Sequence, residues 1–454
     1  MPGRLAVKLR TKGSRVLKIL VLSHYWYPQN GVPQRRWQWL TSVLVKAGNQ
    51  VDVVSPPRNF RRNMGISEWF CSLRELRAPY GRGESGAAGE RIFRVAAVPS
   101  SSSLTARVVS QISVAAGQFF VTLIRGLGGS KSRPDVIVGT VPALPTAMVT
   151  YAAAKILRIP YVIDLRDAWP DLLHESHRWN ESVGSVSLRQ KILSKGPLQI
   201  IKMLTEVALD KSLFEADGVM VTSSWLQDEL AEKFDARVAS KKPRLVTVRN
   251  VFPRETNFEK TSIPRSSRSE INVLYAGTIG RAQNLENVLK AVKIAQESGV
   301  DVNLRIIGAG DGKTNLIYRA KDLGVSATFE KQRSAREMDE PYAWADTALV
   351  HLADWEPLLR TVPSKTYELM AAKMHISGVV QGETAELIRT TGAGDIVSPN
   401  APRDLANLWK KLANDPGALM PREEASTWPY KERNEVAEVN VVSLLESVHR
   451  DAEF

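Results

Sequence analysis

Apolar positions along the chain form short runs that alternate with segments of helical spacing. Residues 18 to 23 form one apolar run, residues 37 to 44 carry apolar side chains three or four positions apart, and residues 51 to 55 form a second run. Gly48 lies where the helical spacing ends. This order predicts a strand, a helix and a second strand.

The alternation continues further along the chain. Strands are predicted at residues 135 to 139, 161 to 164 and 218 to 222. A helix is predicted from Pro145 to Leu157, and Ser224 and Gln227 stand three apart at another helix start, which is the spacing of a capping box. Apolar strands that alternate with helices favour a parallel sheet covered on both faces.

A second series of strands and helices follows a polar, aperiodic stretch at residues 261 to 270. Its strands are predicted at residues 271 to 276, 302 to 307, 327 to 330, 347 to 352 and 376 to 380. We therefore predict an α/β protein with two Rossmann-like domains, at residues 1–260 and 261–430, and a deep cleft between them. A helix within residues 431–454 is expected to pack back on the first domain. Residues 56 to 104 are expected to form a long, mobile excursion from that domain.

The length of 454 residues supports two domains, because one hydrophobic core rarely serves so long a chain. The single cysteine, Cys71, is incompatible with an internal disulfide or a thiolate zinc site, and this fits a reducing cytoplasm. The apolar run after the basic start of the chain is too short for a signal peptide, so we expect no secretion signal.

The charge of the chain indicates what it attracts. The formal net charge is +13, and residues 1 to 50 carry nine basic side chains and no Asp or Glu. Such a surface attracts phosphate-bearing substrates or an anionic membrane. The sequence contains no recognisable nucleic-acid-binding motif, so nucleic acid is not an expected partner.

The longest uncharged run lies between Arg107 and Arg125. Ser, Gln and Gly residues dilute it, which argues against a membrane-spanning helix. A buried helix and a helix that lies on a membrane surface both stay open.

Helix starts that follow strands can hold phosphate, since their N–H groups and positive dipole end point beyond the carboxyl edge of a parallel sheet. Gly277-Thr-Ile-Gly280-Arg281 follows a predicted strand and opens a helix, so it is either an anion-binding turn or a plain tight turn. Gly308 to Lys313 lacks the spacing of a P-loop or a dinucleotide fingerprint, and we interpret it as a strand-to-helix turn.

Pro363 and Ser364 mark a further helix start, with Ser364 as the expected cap. Glu368 is then one position beyond the register of a capping box, so reciprocal capping does not explain it. Lys365 opposes the helix dipole, which favours a role in phosphate binding over that of a solvated lysine.

At these residues the chain resembles glycosyltransferase family 4, of the two-domain GT-B fold, and in particular its fucosamine-transferase-like branch. The resemblance runs from residue 18 to residue 450 and is weakest between residues 56 and 104. The matching segments are His24–Gly31, Asp164–Pro170, Tyr275–Gln283, Val362–Glu368 and Gly382–Ile388.

The resemblance implies a retaining transfer of a sugar from a nucleoside diphosphate, with uridine diphosphate as the expected carrier. The implied acceptor is a hydroxyl of a lipid-linked carbohydrate, in surface-polysaccharide biosynthesis. The implied location is the cytoplasm, as a peripheral protein on the inner face of the plasma membrane. No cofactor and no metal ion are implied, because protein cations and helix starts would stabilise the leaving diphosphate.

The resemblance also implies site residues. Glu368 would accept hydrogen bonds from the donor ribose, and Glu383 would face the donor sugar or act only as a helix-start carboxylate. The implied donor-binding residues are Asn30, Gly31, Gly277, Gly280, Arg281, Ser364, Lys365, Glu368 and Glu383. The implied catalytic residues are Asp167, Arg281 and Lys365.

Two first-domain features have open interpretations. Asp167 would orient or help to deprotonate the acceptor hydroxyl, or would only cap the following turn. Arg35 and Arg36 would bind a lipid diphosphate, or would form a solvated basic face.

The chain departs from the commoner family pattern at several positions. Thr278 and Gln283 replace an Arg and a Lys of the glycine turn, which leaves Arg281 as the substitute. Arg360 replaces the first Glu of a paired-glutamate motif, so no role is assigned to Glu356. The other departures are Arg166, where many relatives have His, and Lys373 and His375, where Gly and Pro are usual.

Two alternative functions stay open at this stage. A nucleotide-sugar epimerase of the same fold would change the sugar without an acceptor. A non-catalytic basic protein would bind membranes or nucleic acid in a strongly salt-dependent way.

Overall fold

The computed structural model describes residues 15–28, 31–58, 60, 67–70, 83–99, 104–130, 132–168, 197–237, 242–261 and 269–453. Contacts within the chain divide it into two units. Among the described residues, the first unit contains the chain up to residue 168, residues 197 to 252, and residues 434 onward. The second unit contains Pro253–Arg433.

The first unit is built on an eight-stranded sheet with the order β3-β4-β2-β1-β5-β6-β7-β8. All neighbouring strands are parallel except the pair β3 and β4. The strands are β1 (Lys18–Leu22), β2 (Gln50–Ser55), β3 (Glu84–Ser85), β4 (Arg91–Arg94), β5 (Val136–Val141), β6 (Tyr161–Leu165), β7 (Gly218–Val221) and β8 (Arg244–Thr247).

Helices cover both faces of this sheet, because its strands carry apolar side chains on both faces. They are α1 (Val32–Lys46), α2 (Leu104–Leu127), α3 (Leu144–Leu157), α4 (Pro197–Phe214), α5 (Ser224–Asp235) and α13 (Glu438–Glu453). α13 packs against the sheet, with Leu444 beside Gly218 of β7. Trp39 of α1 donates its indole N–H to Glu438 at 3.0 Å.

The second unit has a six-stranded, wholly parallel sheet with the order β11-β10-β9-β12-β13-β14. Two parallel-stranded α/β units confirm the predicted pair of Rossmann-like sheets. The strands are β9 (Glu270–Thr278), β10 (Asp301–Ala309), β11 (Ala327–Glu330), β12 (Thr347–His351), β13 (His375–Val379) and β14 (Gly394–Val397).

Helices of the second unit again have one apolar face. On α11, the side chains of Leu405, Trp409 and Leu412 are wholly buried against the sheet. The helices are α6 (Glu286–Glu297), α7 (Lys313–Asp322), α8 (Asp339–Trp344), α9 (Ser364–Ala371), α10 (Gly382–Thr391), α11 (Pro402–Asn414) and α12 (Glu423–Lys431).

Several local details differ from the sequence predictions. The stretch from residue 56 to 104 contains β4, a sheet strand that its Arg-Ile-Phe-Arg sequence does not reveal, while residues 71 to 82 lie outside the described residues. The cap of α5 is Ser223, whose hydroxyl accepts from the Leu226 N–H at 3.2 Å, and not Ser224. The C-terminal helical segment begins with a π-helical stretch at Glu432–Ala437.

The division between the units lies at residue 253, earlier than the predicted boundary at 260. Residues 253 to 260 belong to the second unit because their polar groups form hydrogen bonds with its backbone. The Arg254 guanidinium donates to the Ala371 carbonyl at 2.8 Å, and the Lys260 N–H donates to the Ala372 carbonyl at 2.9 Å.

Candidate functional site

The candidate donor-site residues of the second unit lie at the carboxyl edge of its sheet. β9 has β10 on one side and β12 on the other, so the strand order reverses direction at β9. Ligands bind at such a switch point in open α/β sheets, because the helices that follow the strands leave a crevice there.

The turn that contains Arg281 follows β9 directly. Gly280 is extended, and Arg281–Gln283 form one turn of 3-10 helix. The Ala353 N–H, just after β12, donates to the Ala282 carbonyl at 2.7 Å and holds this turn in place. Arg281 is half-buried, and within the described part of the chain its guanidinium forms no hydrogen bond or ion pair. It is therefore available to an anion.

The glycines of the neighbouring turn have a packing role. Gly310 has φ +158°, and a Cβ atom there would lie 2.1 Å from the Ile279 carbonyl oxygen. The Lys313 ammonium donates to the Gly308 carbonyl at 3.0 Å. Residues 308 to 313 thus form the strand-to-helix turn that the sequence favoured, and Lys313 is engaged by the backbone.

Helix α9 begins at Ser364, with Pro363 as its cap, so the predicted cap position of Ser364 is wrong by one residue. The reason is that Pro363 already accepts the first bond, from the Thr366 N–H at 2.9 Å. The N–H groups of Ser364 and Lys365 belong to the first turn, where a helix supplies no carbonyl partners. They are suited to an anion.

Lys365 and Glu368 form a polar cluster with Tyr342 of α8. The Lys365 ammonium lies 3.0 Å from Glu368 Oε2, and the Tyr342 hydroxyl donates to Glu368 Oε1 at 2.6 Å. The side chains of Lys365 and Glu368 are 29% and 14% exposed, whereas Tyr342 is buried. Tyr342 thus fixes the carboxylate from within while its charged partner stays open to solvent.

Glu383 occupies the first turn of α10 and is buried. The helix start is tight, because Gly382 has φ +62° and a Cβ there would lie 2.1 Å from the Leu359 carbonyl oxygen. The Thr384 hydroxyl also donates to the Thr361 carbonyl at 2.6 Å. The starts of α9 and α10 are therefore joined through the segment that precedes Ser364.

These contacts bring the second-unit candidates to one edge of the sheet. Gly277 is the penultimate residue of β9, close to the Arg281 turn, and that turn is hydrogen-bonded to the segment after β12. The Leu352 N–H of this segment donates to the Val379 carbonyl at the end of β13, three residues before α10.

The sequence did not single out His351 or Tyr342. His351 ends β12, is buried, and has its Nε2 atom 3.0 Å from the Asn287 amide of α6. Burial lowers the pKa of His351 to about 3, so the ring is neutral at physiological pH. No motif marks Tyr342, whose partner Glu368 lies 26 residues further on.

In the first unit, Arg36 is neither a lipid-phosphate ligand nor part of a solvated face. Its side chain and that of Asp164 are wholly buried and form an ion pair at 2.8 Å. Arg36 also donates to the Val248 carbonyl at 2.6 Å, and the Trp37 indole donates to Asp164 at 2.8 Å. Arg36 is buried because this carboxylate at the end of β6 requires a cation.

The other first-unit candidates are dispersed or only partly described. Asp167 is half-buried, next to the buried Arg166, whose guanidinium donates to the Val141 carbonyl at 2.7 Å. Gly31 is the extended cap residue of α1, and Asn30 lies outside the described residues. Arg35 is half-buried, 4.4 Å from the centre of the Phe252 ring.

In the part of the chain that the structure describes, no group of three or more His, Cys, Asp or Glu side chains is arranged to hold a metal ion. Metal-independent chemistry stays a prediction.

Comparison with known proteins identifies both units. A family model for a glycosyl transferase 4-like domain matches residues 31–250, and the model for glycosyl transferases group 1 matches residues 256–433. The two matches meet near the division between the units. No curated protein matches the chain in sequence.

Solved structures of similar fold cover nearly the whole chain. Sucrose-phosphate synthase from Thermosynechococcus elongatus aligns with a TM-score of 0.60 and 16% identity, over 96% of this chain and 97% of that one. HepE from Anabaena, in complex with UDP-glucose, aligns with a TM-score of 0.57 and 14% identity, over 96% and 99%. WaaG, a glycosyltransferase involved in lipopolysaccharide biosynthesis, aligns with a TM-score of 0.54 and 15% identity, over 95% and 99%. At these identities the likeness shows the fold.

Two Rossmann-like units with these neighbours define a protein of the GT-B fold. The chain is a glycosyltransferase, with a glycosyltransferase 4-like domain followed by a glycosyltransferase group 1 domain.

The Arg36–Asp164 pair yields a stability prediction with a control at the neighbouring residue. Arg36→Met will lower the unfolding free energy of the first unit by about 3 kcal/mol, because it leaves a buried carboxylate uncompensated. Arg35→Met removes a half-buried cation that lies over the Phe252 ring, and this will cost less, about 1 kcal/mol. Urea unfolding measures both. Equal costs would contradict the assignment of Arg36 as the buried partner.

His351 yields a prediction on pH dependence. The folded ring has a pKa of about 3, against an ordinary value of 6.5, so the unfolded chain binds the proton first as the pH falls. The contribution of the neutral His351 ring to the free energy of unfolding is therefore fully present above about pH 6.5. Below that pH it declines, by up to about 1.4 kcal/mol per pH unit. His351→Gln will make this decline shallower in urea unfolding between about pH 7 and pH 5. An unchanged slope would show that His351 does not contribute.

Proposed function

We propose that the chain is a retaining glycosyltransferase that transfers a sugar from a UDP-sugar to a hydroxyl of a lipid-linked carbohydrate. The proposed pathway is surface-polysaccharide biosynthesis, and the proposed location is the cytoplasmic face of the plasma membrane. Retention, the acceptor and the fucosamine-transferase-like branch rest on the motifs quoted above. The UDP-glucose complex of HepE supports a UDP-sugar as the donor, and the part of WaaG in lipopolysaccharide biosynthesis supports the pathway.

The observation that carries the proposal is the cluster of Lys365, Glu368 and Tyr342 at the start of α9. It offers a cation and first-turn N–H groups for a diphosphate, and a carboxylate three residues after that cation for a ribose. This combination matches a nucleoside diphosphate, in which the phosphates and the ribose are adjacent.

In the proposed complex, the diphosphate lies between Arg281 and the start of α9. Lys365 turns from Glu368 to the phosphate, and Glu368 Oε2 becomes available to a ribose hydroxyl while Oε1 keeps its bond from Tyr342. Charge grows on the diphosphate as the glycosidic bond breaks. Arg281 and Lys365 then stabilise the leaving group more strongly than the ground state, which is how such groups accelerate a reaction.

Glu383 and Asp167 take the remaining proposed roles. Glu383, fixed at the start of α10, faces the donor sugar. Asp167 orients the acceptor hydroxyl, next to Arg166, with which it interacts electrostatically. The proposal needs no metal ion, because the protein supplies the positive charge.

Glu368→Gln tests the donor site with little change in shape. The variant will bind UDP about tenfold more weakly, since a neutral amide accepts a ribose hydrogen bond less strongly and no longer balances Lys365. The measurement is the shift in melting temperature with UDP concentration. Glu297→Gln, at the exposed end of α6, is the matched control and will bind UDP like the wild type.

Two outcomes would overturn the proposal. One is equal UDP binding by Glu368→Gln and Glu297→Gln. The other is conversion of a UDP-sugar to a different sugar in the absence of any acceptor, which would indicate an epimerase.

A further inference from the structure

Helix α2 is apolar on two opposite sides. Its inner side packs in the core of the first unit, where Val114, Ala115 and Val121 are buried. A helix at the surface of a soluble protein normally has a polar outer face. Here the outer side carries six large apolar side chains that are 43 to 77% exposed, and they define the apolar stripe: Val108, Val109, Ile112, Phe120, Ile124 and Leu127.

The apolar stripe is long and carries no charge between its ends. It runs for about 28 Å, at 1.5 Å per helical residue. No Asp, Glu, Lys or Arg lies between Arg107 and Arg125. Isolated exposed apolar residues are common in soluble proteins, but a continuous surface of this kind marks an interaction site.

The inner side of α2 fixes the helix flat against the unit. The Gln118 amide donates to the Val54 carbonyl at 3.2 Å, and the Thr146 hydroxyl donates to the Gln118 side-chain oxygen at 3.2 Å. Ala106–Leu127 is long and apolar enough to cross a membrane. Its inner side, however, lies in the core of the first unit, with Val114 and Val121 in the same cluster as strand residues. A spanning helix would have to leave that core, so we infer that α2 keeps its inner side on the protein and presents only its outer side to a partner.

Neighbouring helices extend the exposed apolar area. α3 packs beside α2, with Leu157 against Gly126, and exposes Ile156. α4 packs on the other side of α3, and its exposed apolar residues are Met203, Leu204 and Val207.

Basic side chains accompany this area. Arg158 is exposed at the end of α3, and Lys155 and Lys211 are exposed and share a single carboxylate, that of Glu215. Positive charge beside a broad apolar surface is complementary to anionic lipid headgroups above acyl chains.

The start of α2 lies close to the candidate acceptor side of the first unit. Gln111 of α2 is hydrogen-bonded to Tyr25, in the loop after β1, and Arg166 acts electrostatically on the same Tyr25 hydroxyl. Arg166 precedes Asp167. The apolar stripe therefore begins where the carboxyl edge of the first sheet ends.

We propose that the apolar stripe of α2 inserts into the headgroup region of an anionic lipid bilayer, with the flanking basic residues on the lipid phosphates. This rests on the proposed function only in its purpose, which is to bring Asp167 to the headgroup of a lipid-linked acceptor. The binding itself requires no sugar donor. Because both faces of α2 are used, burial in the protein and contact with the membrane are compatible.

Flotation of the full-length protein with vesicles of phosphatidylglycerol and phosphatidylcholine tests the proposal. The double variant Phe120→Gln, Ile124→Gln will bind on the order of tenfold more weakly, because two inserted apolar side chains are lost. The matched control is Tyr318→Gln, Met420→Gln, which replaces two exposed apolar residues of the second unit and will bind like the wild type. Equal binding by the two double variants would overturn the proposal, as would a stable dimer that the α2 variant alone disrupts.

A fluorescent label gives a second, position-specific readout. In a Cys71→Ser background, which removes the single native cysteine, an environment-sensitive dye is attached at Phe120→Cys or at Tyr318→Cys. Vesicles will shift the emission of the dye at position 120 to the blue and leave that at position 318 unchanged. Equal shifts, or none, would contradict insertion of α2.

These tests are separable from that of the proposed function. Vesicle binding without UDP binding would support the membrane surface and contradict the proposed UDP-sugar donor. UDP binding and sugar transfer without vesicle binding would support the proposed function and contradict the membrane surface.

Discussion

The ion pair between Lys365 and Glu368 is the interaction on which the proposed donor site depends. Lys365 places a cation at a helix start that is already positive, and this arrangement is favourable only with an anion beside it. Glu368 is that anion in the ligand-free chain, 3.0 Å away, and Tyr342 holds its other oxygen at 2.6 Å. A diphosphate that replaces Glu368 as the partner of Lys365 leaves the carboxylate fixed and ready for a ribose.

The surrounding backbone places that pair at the same sheet edge as the other groups that we propose for phosphate binding. The strand order reverses at β9, so the turns after β9, β12 and β13 lie at one edge of the second sheet. Hydrogen bonds from Ala353 to Ala282 and from Thr384 to Thr361 hold the Arg281 turn and the starts of α9 and α10 in register. In the first unit the corresponding constraint is the buried Arg36–Asp164 pair, which fixes the end of β6 just before Asp167.

Local patterns predicted the fold well, because strands buried on both faces are apolar throughout and helices have one apolar side. Features that depend on distant partners were not predictable. The local sequence left a surface role open for Arg36, because its buried partner, Asp164, lies 128 positions away in the chain. Tyr342 carries no motif, and β4 is too short and too basic to suggest a strand. The sequence left a buried helix and a helix on a membrane surface as alternatives between Arg107 and Arg125, and α2 has one buried and one exposed apolar side.

The most direct test of the account is a crystal structure of the full-length chain with UDP. The account predicts a diphosphate within hydrogen-bond distance of the Arg281 guanidinium and the Lys365 ammonium, and a ribose hydroxyl on Glu368 with the Tyr342 bond intact. A nucleotide bound away from the start of α9, with Lys365 still paired to Glu368, would contradict it.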